Sequence, residues 1–235
     1  MLRALGTKTI RRILLGLATL LVAAAGFTVG PLLLAPNEYD HISSIEREPA
    51  YRDRARMTEA WSLPVAKLYR AKGIVHQSNA SFCGPASIAT VLSSLGRSMP
   101  QDAVLDGTDY EPWFGVLLGG LTLDALGDLL RQRTGKRVEV LRNLPIADFR
   151  RHMAATNDPK RRYIINFHRG PLFGRGHGHH SPILGYLPDQ DLVLIGDVNA
   201  DYQPYLVRAD RLQRSVNTVD GETGDLRGML LLHAE

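Results

Sequence analysis

Between residues 122 and 133 (TLDALGDLLRQR) apolar side chains recur at Leu123, Leu126, Leu129 and Leu130. That is the repeat of one helical face, and Thr122 stands where an N-terminal cap belongs. Residues 86–95 (ASIATVLSSL), apolar along most of their length, read as a second short helix, and residues 146–154, following Pro145, as a third. Beyond residue 160 the texture changes. Residues 162–168 (RYIINFH) are β-branched and aromatic, and residues 228–233 (GMLLLH) read as a closing strand. Residues 181–187 and 192–198 flank Pro188-Asp189-Gln190-Asp191, the signature of a hairpin. Helices first and sheet second predict an α+β fold, a helical N-terminal part packed on an antiparallel sheet, rather than alternating βαβ units.

The longest apolar run comes earlier. Residues 13–34 carry no charge, and a helix of that length crosses a hydrocarbon core of about 30 Å. Arg3, Lys8, Arg11 and Arg12 precede the run while Glu38, Asp40 and Glu46 follow it. Positive charge on the N-terminal side puts that end in the cytoplasm and everything after residue 36 outside. Ala23-Ala24-Ala25 offers a signal-peptide cleavage site, but the run continues well past it, which favours an uncleaved transmembrane helix. Both readings export the rest of the chain: anchored in the inner membrane with its catalytic part in the periplasm, or secreted there. The expected division is 1–36 membrane anchor or signal peptide, 37–60 charged linker, and 61–235 catalytic domain.

Composition narrows the classes. A hydrophobic content of 44% supports a real core, and the formal charge of +4 comes without a basic stripe interleaved with aromatics, which excludes nucleic-acid binding. Cys83 is the only cysteine, so it forms no internal disulfide and builds no thiolate-rich metal site. It is either a small buried hydrophobe or a nucleophile. Its place at the mouth of the helix predicted from residue 86 favours the nucleophile, because unpaired N–H groups and the helix dipole stabilise a thiolate there. An exported lone thiol without a disulfide partner points the same way.

A thiol nucleophile needs a base and a group that orients the base. His179 enters the first strand of the hairpin and Asp197 ends the second. With a three-residue turn centred near Asp189 their side chains project from one face, within one pair of being directly opposite. Gln77, six residues before Cys83, supplies an amide donor for an oxyanion beside the cysteine N–H. His177-Gly178-His179-His180 invites a metal reading, but neighbouring strand side chains point opposite ways, so no metal site is expected; His180 reads as surface or loop packing. Residues 115–120 (GVLLGG) lack the Lys-Ser/Thr ending of a phosphate loop and read as a turn.

These residues stand in blocks that resemble phytochelatin synthases. The blocks are Gln77 to Ala86; Asn166-Phe167-His168-Arg169; Gly178-His179-His180-Ser181-Pro182-Ile183; Gly185-Tyr186; Asp197-Val198; Asn217-Thr218-Val219-Asp220; and Arg227-Gly228. The resemblance implies a papain-like cysteine transferase acting on glutathione. Cys83 attacks the Cys–Gly bond, glycine leaves, and a γ-Glu-Cys acyl-enzyme forms. His179 is implied as general base and acid, Asp197 as orienting carboxylate, and Gln77 as oxyanion donor. Arg169 and Arg227 are implied to line the substrate cleft, where guanidinium forks suit a carboxylate; an ion pair of Arg227 with Asp225 or Asp220 is equally open.

The acyl group passes to water, giving γ-Glu-Cys, or to a second glutathione, giving phytochelatin. Where plant-like members carry a basic run resembling R-Y-K-Y-P-P, this chain has Ala200-Asp201-Tyr202-Gln203-Pro204-Tyr205, and it ends without their Cys-rich extension. Hydrolysis is therefore expected to dominate. No cofactor is expected; a heavy-metal ion, Cd or Zn, enters as the metal–glutathione thiolate. Expected partners are glutathione and the inner membrane, with a homodimer left open. Two other readings stay open from the residues alone: an exported papain-like peptidase on another peptide, and an exported metal- or thiol-binding protein.

Overall fold

In the computed structural model, which describes residues 38–235, every strand of the sheet runs antiparallel to its neighbours. The strands are β1 (Val138–Arg142), β2 (Arg161–His168), β3 (Gly178–Leu187), β4 (Leu192–Ile195), β5 (Tyr205–Arg208) and β6 (Gly228–His233), in spatial order β1-β6-β2-β3-β4-β5. The helices are α1 (Arg54–Trp61), α2 (Pro64–Lys72), α3 (Cys83–Ser94), α4 (Leu123–Thr134), α5 (Ile146–Ala155), α6 (Gly170–Phe173) and α7 (Ala209–Val216). The α+β class holds, with helices interleaved among the strands rather than all preceding them.

Both faces of the sheet are covered, which is why its central strands read as nearly continuous apolar runs. Along β2, Ile164 joins the core shared with α2, α3 and α4, while Tyr163, Ile165 and Phe167 join the core under α5 and α7. Helix α3 is buried at every residue but Ser93, as a helix apolar all round must be. Thr122 caps α4 by accepting the Ala125 N–H at 3.2 Å.

The compact unit runs from His41 to Glu235. The described part of the charged stretch read as a linker holds a 3-10 turn, Ile45–Arg47, and helix α1, and it buries Ile45 and Tyr51 in the core. The apolar run at 13–34 lies outside the described residues. Among those described, no helix is long and apolar enough to cross a membrane.

The β3–β4 hairpin reaches the expected geometry by another route. Leu187 pairs with Leu192 around a four-residue loop, Pro188 to Asp191, in which Asp191 adopts φ 53°. Continued unbroken, that register would put Asp197 opposite Pro182, on the face away from His179. A bulge intervenes: Gly185 pairs with Leu194 but Ile183 pairs with Ile195, leaving Leu184 as the extra residue. The Gly196 N–H then donates to the Pro182 carbonyl at 2.9 Å, so Asp197 falls opposite Ser181 and diagonal to His179. Leu184 packs over Gly196, where a Cβ would lie 2.7 Å from its Cδ2.

Candidate active site

Cys83 opens α3 behind Phe82, which offers no side-chain cap. The first-turn N–H groups are therefore free of capping competition beside the thiol. Ser87 Oγ donates to the Cys83 carbonyl at 2.7 Å and ties down the turn. The thiol is buried in a small apolar cluster with Ala86 and Val198, against Ile74. Val198 directly follows Asp197, and its carbonyl accepts the Gln77 N–H at 2.8 Å. One contact thus gathers the Gln77, Cys83 and Asp197 segments.

His179 Nε2 lies 3.0 Å from Asp197 Oδ1, which leaves Nδ1 as the nitrogen available to the Cys83 thiol, with which the imidazole interacts. The imidazole rests edge-on against Phe167, its partner across the β2–β3 ladder, with ring centroids 5.5 Å apart. Asp197 is fully buried. Its Oδ1 also accepts the Asn199 N–H at 2.9 Å.

Burial pushes the Cys83 thiol up, but the His179 hydrogen bond and charge, the His180 backbone N–H and the Arg169 charge outweigh it, so the thiol lies below its ordinary value. Burial depresses His179, and the Asp197 carboxylate overrides it, so the imidazole lies above its ordinary value. Asp197 is raised by burial and brought below the carboxylate range chiefly by His179 and Arg169. Thiol down and imidazole up is the condition for a thiolate–imidazolium pair at neutral pH.

Gln77 Nε2 donates to the Asn79 carbonyl at 2.9 Å and keeps one hydrogen, while its buried Oε1 has no partner among the described residues. Arg169 stands on the Asp197 carboxylate: its Nη2 donates to Oδ1 at 2.9 Å and Oδ2 at 3.0 Å. Arg227 forms the ion pair with Asp220, at 2.7 Å, and also donates to Asn166 Oδ1 at 3.0 Å. Its guanidinium lies against Gly178, where a Cβ would sit 2.5 Å from Nη1. Only glycine permits that approach one residue before His179.

His180 corrects the expectation of surface or loop packing. It is buried, its Nε2 donates to the Leu121 carbonyl at 2.9 Å, and its Nδ1 has no partner among the described residues. Burial takes its pKa down to about 4. The unfolded chain therefore binds a proton near pH 6.5 that the folded chain refuses until about pH 4. Stability is full above pH 6.5 and falls as pH drops toward 4, by an amount on the order of 3 kcal/mol. Thermal unfolding across this window should fall less steeply for His180→Gln than for the wild type; parallel curves would contradict the assignment. Among the described residues no group of His, Cys, Asp or Glu side chains could hold a metal ion.

Two features depend on contacts that the sequence motifs do not report. Tyr202 lays its ring on the Arg169 guanidinium, with Cζ 3.8 Å from the centroid, a contact set by loop conformation that no spacing rule reports. The other is the turn at residues 113–116, where Phe114 has φ 47° and Gly115 φ 79°, the paired positive φ values of a tight hairpin. It exposes Trp113, Phe114 and Val116, and Leu118 just beyond it is exposed as well. Asn79 Nδ2 donates to the Gly115 carbonyl at 2.9 Å and Leu117 N to Ser81 Oγ at 3.0 Å, tying this turn to the loop that leads into Cys83.

Comparison with known proteins bears on this arrangement. The family model described as "Phytochelatin synthase" matches residues 52–229. Glutathione gamma-glutamylcysteinyltransferase 3 of Lotus japonicus is 34% identical over 170 residues, covering 66% of this chain and 35% of the relative. Glutathione gamma-glutamylcysteinyltransferase 1 of Triticum aestivum is 35% identical over 170 residues, covering 66% and 33%. The chain thus spans about a third of the length of these curated relatives. Among solved structures, the peptidase domain of Streptococcus ComA is similar with a TM-score of 0.48 at 15% identity, covering 70% of this chain and 99% of that one. A putative C39-like peptidase from Bacillus anthracis has a TM-score of 0.48 at 14% identity, covering 68% and 94%.

Proposed function

This chain belongs to the phytochelatin synthase family, and from that premise we propose that it is a cysteine-dependent acyl transferase acting on glutathione. The observation that carries the reading is the continuous chain from thiol to imidazole to carboxylate, with the thiol lowered and the imidazole raised. The Cys83 thiolate attacks the carbonyl carbon of the Cys–Gly bond. The Cys83 N–H and the remaining Gln77 amide hydrogen are the candidate donors to the oxyanion. The C–N bond breaks as His179 gives its proton to the glycine amine, leaving a γ-Glu-Cys thioester. His179, now neutral, takes a proton from the second nucleophile, whose attack frees the dipeptide or a longer chain and restores the thiol.

Water is the main acceptor. The loop after Asp197 exposes the carboxylate of Asp201 where plant-like members carry basic residues, and a second glutathione is itself anionic. A metal–glutathione thiolate, of Cd or Zn, is the form in which metal enters, as substrate. The apolar run at 13–34 anchors the enzyme in the inner membrane and holds it on the periplasmic side.

Protein incubated with glutathione should gain the mass of γ-Glu-Cys at Cys83, and His179→Ala should lose that adduct. The released products should be glycine and mainly the dipeptide. Intact glutathione with an unmodified thiol would overturn the donor assignment, and products mainly longer than the dipeptide would overturn the choice of acceptor.

A further inference from the structure

Tyr202 stands in the loop that follows Asp197, and its ring lies on the Arg169 guanidinium. We propose that Tyr202 is a positioning residue whose ring, laid on the Arg169 guanidinium, keeps the Arg169–Asp197 pair dry and aimed so that Asp197 holds His179. The proposal rests on the reading of Cys83, His179 and Asp197 as the catalytic residues.

The surroundings of Arg169 leave its guanidinium few supports. One nitrogen, Nη2, meets both oxygens of Asp197. The other, Nη1, is buried and has no hydrogen-bond partner among the described residues. Three aromatic rings stand around the group, with Cζ 3.8 Å from the Tyr202 centroid, 5.6 Å from Phe173 and 5.7 Å from Phe167. Its aliphatic stem runs beneath Gly176, where a Cβ would come within 3.0 Å of the Arg169 Cβ. Phe167 and Phe173 are core residues, whereas Tyr202 is half-buried. It is the ring whose removal admits water to Nη1 and to the carboxylate. A planar guanidinium stacks well on an aromatic face, and excluding water strengthens the charge pairing beneath it.

The chain goes to some length to hold this ring. Tyr202 N donates to the Asn199 carbonyl at 3.1 Å, and Gln203 takes φ 50° so that the loop doubles back over the carboxylate it has just left. The Tyr202 carbonyl accepts a hydrogen bond from Arg52, which stands outside the site, and the ring packs edge-on against Phe173 at 4.7 Å. No described residue hydrogen-bonds to the Tyr202 hydroxyl, so the ring face carries the contact and phenylalanine should serve. Besides Cys83, His179 and Asp197 themselves, the titratable and charged groups facing the cluster are Arg169, Tyr202, Tyr51 and Tyr205, with Arg52 at the rim.

Losing the ring loosens Arg169, whose charge helps hold the thiol down, and frees Asp197 to turn away from His179. The test uses the full chain and reads the rate of Cys83 alkylation by iodoacetamide against pH. With one cysteine in the protein, the signal has a single source. The wild type and Tyr202→Phe should superimpose, with an acid limb below the ordinary thiol range. Tyr202→Leu should move that limb up by about one pH unit, about tenfold slower alkylation along it, and lower kcat for glycine release about tenfold with KM little changed. Arg52→Ala, which removes one of the two hydrogen bonds to the Tyr202 carbonyl and leaves that of the Tyr51 hydroxyl at 3.5 Å, should shift the limb in the same direction by less. A Tyr202→Leu profile identical to the wild type, in protein with wild-type near-ultraviolet circular dichroism, overturns the proposal, as does Tyr202→Phe behaving like Tyr202→Leu. An ordinary thiol profile in the wild type would instead overturn the catalytic reading beneath it.

Discussion

Replacing Cys83 with serine should abolish glycine release, lowering kcat by on the order of 10⁴-fold or more, while the fold survives. The loss is large because the surroundings of Cys83 act on ionisation. His179, the His180 N–H and Arg169 all favour a thiolate, and a serine hydroxyl does not ionise in that range, so their stabilisation finds no anion to act on. The change in stability should be small. Oγ replaces Sγ in a cluster of Ala86 and Val198, and the hydroxyl inherits His179 as a partner, which holds the expected cost within about 1 kcal/mol. A glycine-release assay paired with denaturant unfolding checks both halves. Turnover above about 1% of wild type would contradict the nucleophile assignment, and glutathione or metal binding unchanged by the substitution, with no turnover in either form, would point to a binding protein.

Asp197→Asn should damage catalysis and stability together, and by amounts that separate it from the cysteine change. An amide in place of the carboxylate no longer favours the imidazolium and permits the wrong imidazole tautomer, an effect worth about 10⁴ in kcat where such triads have been dissected. It also strips Arg169, 6% exposed, of its only counterion among the described residues. Breaking a buried pair by removing one partner costs about 3–5 kcal/mol, about 10 °C in melting temperature for a chain of this size. Calorimetry at pH 7 should therefore show a clear drop for Asp197→Asn and almost none for Cys83→Ser. The pH dependence has a definite sign. Because Asp197 is held below the carboxylate range, its contribution is complete above the ordinary carboxylate value and is lost only as pH falls through its lowered value. Neutral and mildly acidic solutions should show the full difference.

The site was legible to the extent that each residue carried a local signal. Cys83 was conspicuous as the lone thiol at the start of an apolar helix, and the His179–Asp197 interval spanned a readable hairpin. The elements without a local signal depend on three-dimensional context. Strand β1 (Val138–Arg142) is short and mostly half-buried, too brief to separate from a loop by periodicity. Strand β5 runs straight into α7 with no punctuating glycine or proline between Arg208 and Ala209, so two elements of opposite period blur one another. Residues 41–60 look solvated because Arg52, Arg54 and Arg56 dominate them, whereas Ile45 and Tyr51 decide the packing. The arginines show the same limit: a guanidinium near a cleft suits a substrate carboxylate or a protein one, and only geometry reveals that Arg169 holds Asp197 and Arg227 holds Asp220.

The extra residue Leu184 makes the β3–β4 hairpin a matter of odd and even counting. From His179 to Asp197 the path crosses a four-residue loop and one bulge, and each alone would reverse which face the final carboxylate meets. Together they cancel. Any single-residue insertion or deletion between these two positions should leave a sheet that still pairs but aims Asp197 into the opposite core, whereas a deletion of Leu184 matched by one in the loop should restore the alignment. Length variation along this lineage would therefore be tolerated in pairs, and a homologue with a three-residue turn here is expected to lack the bulge.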